Sequence, residues 1–302
     1  MTNESRKPYI AGNWKMNLDR AQALDLIKTI KGRLGDGGEK EVAVFVPAVY
    51  LADVAAVAQG SPLGVGAQNV YFEDAGAFTG ETSCAMVRGV GADRTLVGHS
   101  ERRHVFGEPD EWMGRKLRIA LDTGVVPMLC VGETLDERNH NRTDRVLKRQ
   151  LEAGLLLLKA EEYHHISIAY EPVWAIGTGE VATLDQISAA HTTIRKYLIT
   201  KVGEEVAETV RILYGGSVKP DNAGTIMALP EVDGLLVGGA SLKPDSFIPI
   251  IEFNSCKYFN GSRTLNFILK LLGFFQRIPK FYFSPLINLG FNSPAVLPVN
   301  RF

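Results

Sequence analysis

Ile166-Ser167-Ile168-Ala169-Tyr170-Glu171-Pro172-Val173-Trp174-Ala175-Ile176-Gly177-Thr178-Gly179 is a short apolar run that ends in a carboxylate and passes at once into a glycine-punctuated loop. Such a run suits a strand buried on both faces, and a polar residue just past its end sits where a parallel sheet or barrel does its chemistry. Pro172 and Trp174 stiffen the connection, while Gly177 and Gly179 suit a loop that swings on its ends. Glu171 is therefore a candidate base at the mouth of a barrel or sheet, beside a mobile lid.

Outward from this stretch, similar apolar, β-branched runs recur at residues 9–11, 42–46, 63–67, 95–97, 125–131, 211–214 and 234–237, which with 166–170 makes eight. Between them the apolar residues take a helical period, clearest over 18–34, 111–122, 135–158 and 184–202. Alternating strands and helices over some 250 residues predict an α/β fold of parallel units, and eight units predict a closed (β/α)8 barrel instead of an open sheet. The unusual polar residues follow the apolar runs and do not precede them, as a site at the carboxyl ends of barrel strands requires.

The composition narrows the function classes. With 302 residues, 45% hydrophobic and 22% charged, the chain has enough apolar material for a barrel-sized core. A formal net charge of -1 gives no global attraction to nucleic acid or to an anionic membrane, so local groups must hold any anionic ligand. Cys84, Cys130 and Cys256 stand at unrelated spacings with no CxxC, which argues for reduced thiols and against a zinc site. Residues 1–8 are polar and lack the apolar stretch of a secretory signal, so the expected location is cytoplasmic.

After about Phe253 the composition changes. The last 49 residues carry six basic residues, no acidic residue and eight of the fourteen Phe, whereas residues 1–253 hold 27 basic and 34 acidic residues, a net of -7. We expect a catalytic barrel over 1–253 and an atypical C-terminal extension over 254–302. The extension's apolar run at 265–275 is too short and interrupted to span a bilayer. Two readings stand: a basic segment lying on an anionic membrane, or translated sequence without a selected role. Its lack of sustained period or turn chemistry favours the second.

Four groups carry candidate chemistry. Gly12-Asn13-Trp14-Lys15-Met16-Asn17 follows the first strand, and an ammonium there holds a phosphate or stabilises developing negative charge, although an isolated lysine after a strand is usually a solvated surface charge. Val97-Gly98-His99-Ser100-Glu101-Arg102-Arg103 puts a histidine at a strand end as electrophile or proton shuttle; alone it reads as a surface His beside a salt-bridged pair. Glu171 is suited to removing a proton from carbon next to a carbonyl when a lid desolvates it. Tyr214-Gly215-Gly216-Ser217-Val218 and Val237-Gly238-Gly239-Ala240-Ser241 let backbone N–H groups approach an anion, with Ser217 as a further donor. A phosphate cradle after strands seven and eight is common to many barrels and names a ligand class, not a reaction.

In this one register the runs resemble the signatures of the triosephosphate isomerase family, over about residues 9–251. The resemblance implies interconversion of dihydroxyacetone phosphate and D-glyceraldehyde 3-phosphate through a cis-enediol(ate), without metal or organic cofactor, in glycolysis and gluconeogenesis. It assigns the carbon-bound proton to Glu171, the two oxygens to His99, charge stabilisation to Lys15 and Asn13, the lid to Gly177 and the phosphate to Ser217, Gly238 and Gly239. It also implies a neutral His99 imidazole, this family being itself the standard illustration of a helix N-terminus acting on such a histidine. Glu101 and Cys130 fall in supporting positions, with Cys130 packed behind Glu171. The stretches Gln68-Asn69-Val70-Tyr71 and Gly76-Ala77-Phe78-Thr79-Gly80-Glu81 resemble a loop that reaches into a partner subunit, which implies a homodimer; an exposed Phe78 would otherwise be a poor surface choice.

Two departures stand out: Glu180-Val181-Ala182 at the far hinge of the lid, where the family often begins with lysine, and the extension after residue 253, which has no family counterpart. A different phosphosugar isomerase or synthase on the same barrel would share the cradle without Lys15, His99 and Glu171 together. A non-catalytic scaffold or membrane-recruited protein would show damage to one of the three, and all are intact.

Overall fold

In the computed structural model, which describes residues 6–35, 38–177 and 180–253, eight strands form a closed parallel barrel in sequence order. They are β1 Tyr9–Asn13, β2 Glu41–Val46, β3 Leu63–Ala67, β4 Arg94–Val97, β5 Val126–Val131, β6 Ser167–Tyr170, β7 Arg211–Tyr214 and β8 Gly234–Val237. Closure comes from β1 and β8, where Tyr9 pairs with Gly234 and Gly12 with Val237. The helices are α1 Arg20–Leu34, α2 Leu51–Ala58, α3 Cys84–Gly89, α4 Ser100–His104, α5 Glu111–Asp122, α6 Leu135–Asn139, α7 Thr143–Gly154, α8 Leu184–Val202, α9 Glu204–Ala207, α10 Pro220–Met227 and α11 Pro244–Ile251. Each expected strand is present to within two residues at either end.

Two helical expectations shift. The chain enters α1 at Arg20 instead of residue 18, because Leu18 takes a left-handed conformation (φ 70°) and Asp19 caps the helix, its side chain accepting from Gln22 N. The single helix expected over 135–158 breaks into α6 and α7. Asn141 sits at φ 54°, a conformation asparagine tolerates, and Arg142 N donates back to Glu137 O to close the turn between them. α7 buries Val146, Leu147 and Leu151 whereas α6 buries none of its residues, so the inward apolar face begins only after the break.

The two-residue alternation of a strand sorts the core into two layers. Tyr9, Ala11, Ala43, Phe45, Leu96, Met128, Cys130, Ala169, Leu213 and Leu236 fill the barrel interior. Ile10, Val44, Val97, Leu129, Ile168, Tyr170 and Ile212 belong to the larger layer between strands and helices. One more step along the inward set reaches the mouth: Asn13 after Ala11, Gly98 after Leu96, Gly132 after Cys130, Glu171 after Ala169, Gly215 after Leu213 and Gly238 after Leu236. Four of these six positions are glycine. The interior is thus packed below and opens above into a space where Asn13 and Glu171 bring side chains.

Ion pairs close the opposite end. Asp233 on the approach to β8 accepts from Arg6 Nε at 2.8 Å, Arg195 Nη2 at 2.9 Å and the Ile212 amide at 3.0 Å, all buried. Arg94 and Arg211 both pair with Glu41 beside the Tyr9 ring. At the end of the described chain, Lys40 Nζ donates to the carbonyls of Ile251 and Phe253, each at 2.8 Å, and sits 3.9 Å over the Phe253 ring. Those contacts satisfy carbonyls left open by α11. The extension 254–302, with both readings of it, lies outside the described residues. Among the described residues no helix is long and apolar enough to cross a membrane.

Candidate active site

A cavity of about 440 Å³ opens at the carboxyl ends of the strands. Asn13, Lys15, His99, Glu171, Gly177, Ser217, Gly238 and Gly239 all line it, so one space gathers residues from the ends of five strands far apart in sequence. Glu101 lines a neighbouring cavity of about 320 Å³ that shares Asn13, Lys15 and His99. Cys130 lines neither; it is fully buried below Glu171, and burial, reinforced by the Glu171 charge, pushes its thiol well up. The inert, protonated thiol is a packing group.

Glu171 is held from three sides and is only 2% exposed. Its Oε1 lies 2.9 Å from His99 Nε2, and its Oε2 accepts the Ser100 amide at 3.0 Å. Below it the backbone of β5 comes so close that a Cβ on Gly132 would fall 1.7 Å from the Glu171 carbonyl oxygen, so only glycine fits there. Burial is the largest influence on the carboxyl and pushes its pKa up; His99, the Ser100 N–H and Lys15 together outweigh it, and the net position is below the ordinary glutamate value of 4.5. In this arrangement Glu171 is an ionised carboxylate.

His99 follows Gly98, whose left-handed φ of 71° turns the chain out of β4. Arg103 grips that turn, its Nε donating to Gly98 O at 2.7 Å and its Nη2 to Cys130 O at 3.1 Å. The ring sits at the start of α4, where Nδ1 accepts the Glu101 amide at 3.3 Å. A nitrogen that accepts carries no proton, so the ring proton is on Nε2, which donates to Glu171. Electrophile and base are oriented by backbone amides of one helix start.

Lys15 is bent into the site. Its backbone is left-handed at φ 51°, a strained conformation for a residue with a side chain. Asn13 Oδ1 accepts its amide at 3.0 Å and Gln68 Nε2 donates to its carbonyl at 2.8 Å, which over-determines the turn. The ammonium donates to Glu101 Oε1 at 2.6 Å. Glu101 therefore positions Lys15 over the cavity and offsets its charge.

Sequence reasoning passed over three contributors. Glu133, fully buried, accepts from Trp174 Nε1 at 2.9 Å, Arg138 Nη1 at 3.1 Å and Tyr170 OH at 3.1 Å, so the first turn of the lid is anchored to the end of β5. The lid's Thr178 and Gly179 lie outside the described residues. Gln68, quoted only as part of the loop after β3, braces Lys15. Lys219 joins Ser217 on the cavity wall. Each is a common polar residue without local pattern; only Glu133 carried a hint, as a carboxylate directly beyond a buried strand.

The whole barrel also matches known proteins. Residues 8–254 match the family model described as triosephosphate isomerase. The chain is 48% identical over 250 residues to the triosephosphate isomerase of Roseiflexus castenholzii, an alignment covering 83% of this chain and 98% of that protein. It is 47% identical over 248 residues to that of Chloroflexus aurantiacus, covering 82% and 99%, and 44% over 250 residues to that of Lactiplantibacillus plantarum, covering 83% and 99%. With this barrel, this cavity and this extent of identity, the chain belongs to the triosephosphate isomerase family.

Proposed function

We propose that the chain interconverts dihydroxyacetone phosphate and D-glyceraldehyde 3-phosphate, the aldose–ketose step of glycolysis and gluconeogenesis. The observation that carries this reading is the contact between Glu171 and the Nε2–H of His99 inside a cavity that also holds the Lys15 ammonium. A three-carbon substrate whose phosphate rests on the amides at Ser217, Gly238 and Gly239 has its carbonyl end near these three groups.

The chemistry follows from the charges. Glu171 takes the proton from the carbon beside the carbonyl, leaving an enediolate. The Nε2–H of His99 donates to the carbonyl oxygen as negative charge develops there, and the Lys15 ammonium with Asn13 stabilises it. His99 then passes protons between the two oxygens, and Glu171 returns its proton to the neighbouring carbon. Substrate entering between Glu171 and His99 separates them. The carboxylate then loses a donor that holds its pKa down while remaining buried, so it becomes a stronger base at the moment of use.

The partner expected at the loop over residues 68–81 is a second copy. Phe78 stays 39% exposed although it packs on Tyr71, and Met16, Val49, Val105 and Phe106 are 95%, 78%, 73% and 65% exposed. So much apolar surface beside the neighbouring 320 Å³ cavity suits a homodimer interface. The proposed compartment is the cytoplasm.

A coupled assay for glyceraldehyde 3-phosphate isomerisation tests the activity. Turnover is the expected result; silence from folded protein would leave a phosphate-binding barrel without this reaction. Sedimentation at micromolar concentration tests the dimer, and a monomer there would remove the interface reading.

A further inference from the structure

The charges around the cavity do not favour its dianionic substrate as they stand. The Lys15 ammonium is engaged by Glu101 at 2.6 Å, the His99 ring is neutral by its hydrogen bonds, and Glu171 is ionised. Those four groups leave one negative charge facing an incoming phosphate, and the barrel as a whole carries -7 over residues 1–253. Amides that hold an anion at contact act only over the last few ångströms. Something else must draw the substrate in.

Among the described residues, Lys219 is the remaining cation of the cavity wall. Its side chain is exposed, and no carboxylate among the described residues pairs with it. Its backbone is fixed where it counts: the Lys219 amide donates to Asn222 Oδ1 at 2.8 Å, and Asn222 Nδ2 returns to Ser217 O at 3.2 Å. One asparagine side chain thus ties the lysine to the seventh-strand phosphate loop. The seventh-strand loop brings an exposed lysine to the cavity wall beside Ser217.

We propose that Lys219 is an electrostatic capture residue, which offsets the Glu171 charge at the cavity mouth and raises the rate of encounter with a phosphorylated triose. The proposal rests on the isomerase reading and adds a residue to it. A steering charge acts through space, so its effect belongs to kcat/KM, weakens as salt shortens the Debye length, and depends on the sign of the charge more than on the shape of the side chain.

The experiment measures kcat and KM for glyceraldehyde 3-phosphate in the full chain and in Lys219→Met, Lys219→Arg and Lys219→Glu, from ~0.01 M to ~0.15 M sodium chloride, over which the Debye length falls from about 30 Å to about 8 Å. Lys196→Met, an exposed lysine on α8, makes the same change in net charge away from the cavity. For Lys219→Met the expected result is a loss in kcat/KM of roughly three- to tenfold at the lowest salt, shrinking as salt rises. Lys219→Glu loses more, Lys219→Arg retains most of the wild-type value, and Lys196→Met matches the wild type. An unchanged kcat/KM in Lys219→Met, a loss independent of salt, or an equal loss in Lys196→Met would each overturn the proposal while leaving the isomerase reading standing. Absence of turnover in the folded wild type would overturn both.

Discussion

Glu171 Oε1 lies 2.9 Å from His99 Nε2, so the base and the electrophile of the site restrain each other before either meets substrate. The relationship makes the length of the Glu171 side chain decisive, since the same carboxylate must also reach the reacting carbon. Glu171→Asp withdraws the carboxylate by about one bond, and a misplacement of about 1 Å costs on the order of 100-fold. We expect kcat to fall by at least that much, while competitive inhibition by inorganic phosphate stays within a few-fold of wild type. Near-normal turnover would show that another group is the base.

The same contact fixes a pH dependence. The folded-state pKa of Glu171 is depressed below 4.5, against burial, by His99, the Ser100 amide and Lys15. Its ionisation therefore contributes stability above the ordinary glutamate range, and that contribution is lost as pH falls through the depressed value. His99→Ala removes one of the groups that hold the pKa down and leaves burial in place. The residual kcat/KM of that variant should show its acid limb at higher pH than the wild type, and an unshifted limb would mean that His99 does not govern the carboxylate.

Gly132 carries the close approach between β5 and β6. In Gly132→Ala a methyl group placed 1.7 Å from the Glu171 carbonyl oxygen forces the two strand ends apart. Because that backbone aims Glu171, the expected loss of activity is on the order of 100-fold, with destabilisation of roughly 1–3 kcal/mol by overpacking. Urea unfolding and the coupled assay on the same preparation separate the two effects. Wild-type values in both would contradict the geometry.

At the far end of the barrel, Asp233 is the buried partner of two buried guanidinium groups, and removing it leaves them only the more exposed carboxylates of Glu208 and Glu231. Asp233→Ala should cost about 3–5 kcal/mol in unfolding free energy. KM should hold within about twofold in the folded fraction, since this network closes the floor and not the mouth. A larger change in KM than in stability would mean that the floor is coupled to the cavity.

For the extension, a chain ending at Phe253 gives a direct comparison. Lys40 closes the carbonyls of Ile251 and Phe253 from within the barrel. We therefore expect the truncated chain to unfold within about 2 °C of the full chain and to match its kcat/KM, ~2 °C being the shift that about 1 kcal/mol gives a domain of this size. Higher activity in the short form would mark the extension as an obstruction. Anionic liposome binding by the full chain alone would establish the membrane reading.

The strands were legible because burial on both faces demands apolar, β-branched runs, and runs such as 42–46 and 63–67 have no helical rival of that length. The mouth was legible wherever a rare residue type stood just past such a run: Lys15, His99, Glu171 and the paired glycines. The break at Asn141 was not, because α6 buries none of its residues and so adds nothing to the apolar period, and an asparagine in a left-handed turn is locally no different from one inside a helix. Glu133 escaped notice for a different reason. Its partners Tyr170 and Trp174 are brought to it only by the pairing of β5 with β6, and its place just beyond a buried strand was the one local hint.

The pairing of β1 with β8 also bears on how the molecule is made. Tyr9 finds Gly234 across nearly the whole length of the barrel sequence, so a nascent chain exposes an unsatisfied strand edge from the time β1 leaves the ribosome until β8 follows. At ordinary translation speeds of about 5–20 residues per second that interval is roughly 10–45 s. Throughout it β1 has no partner on its β8 side, and synthesis itself sets how long holdase chaperones have to shield that edge.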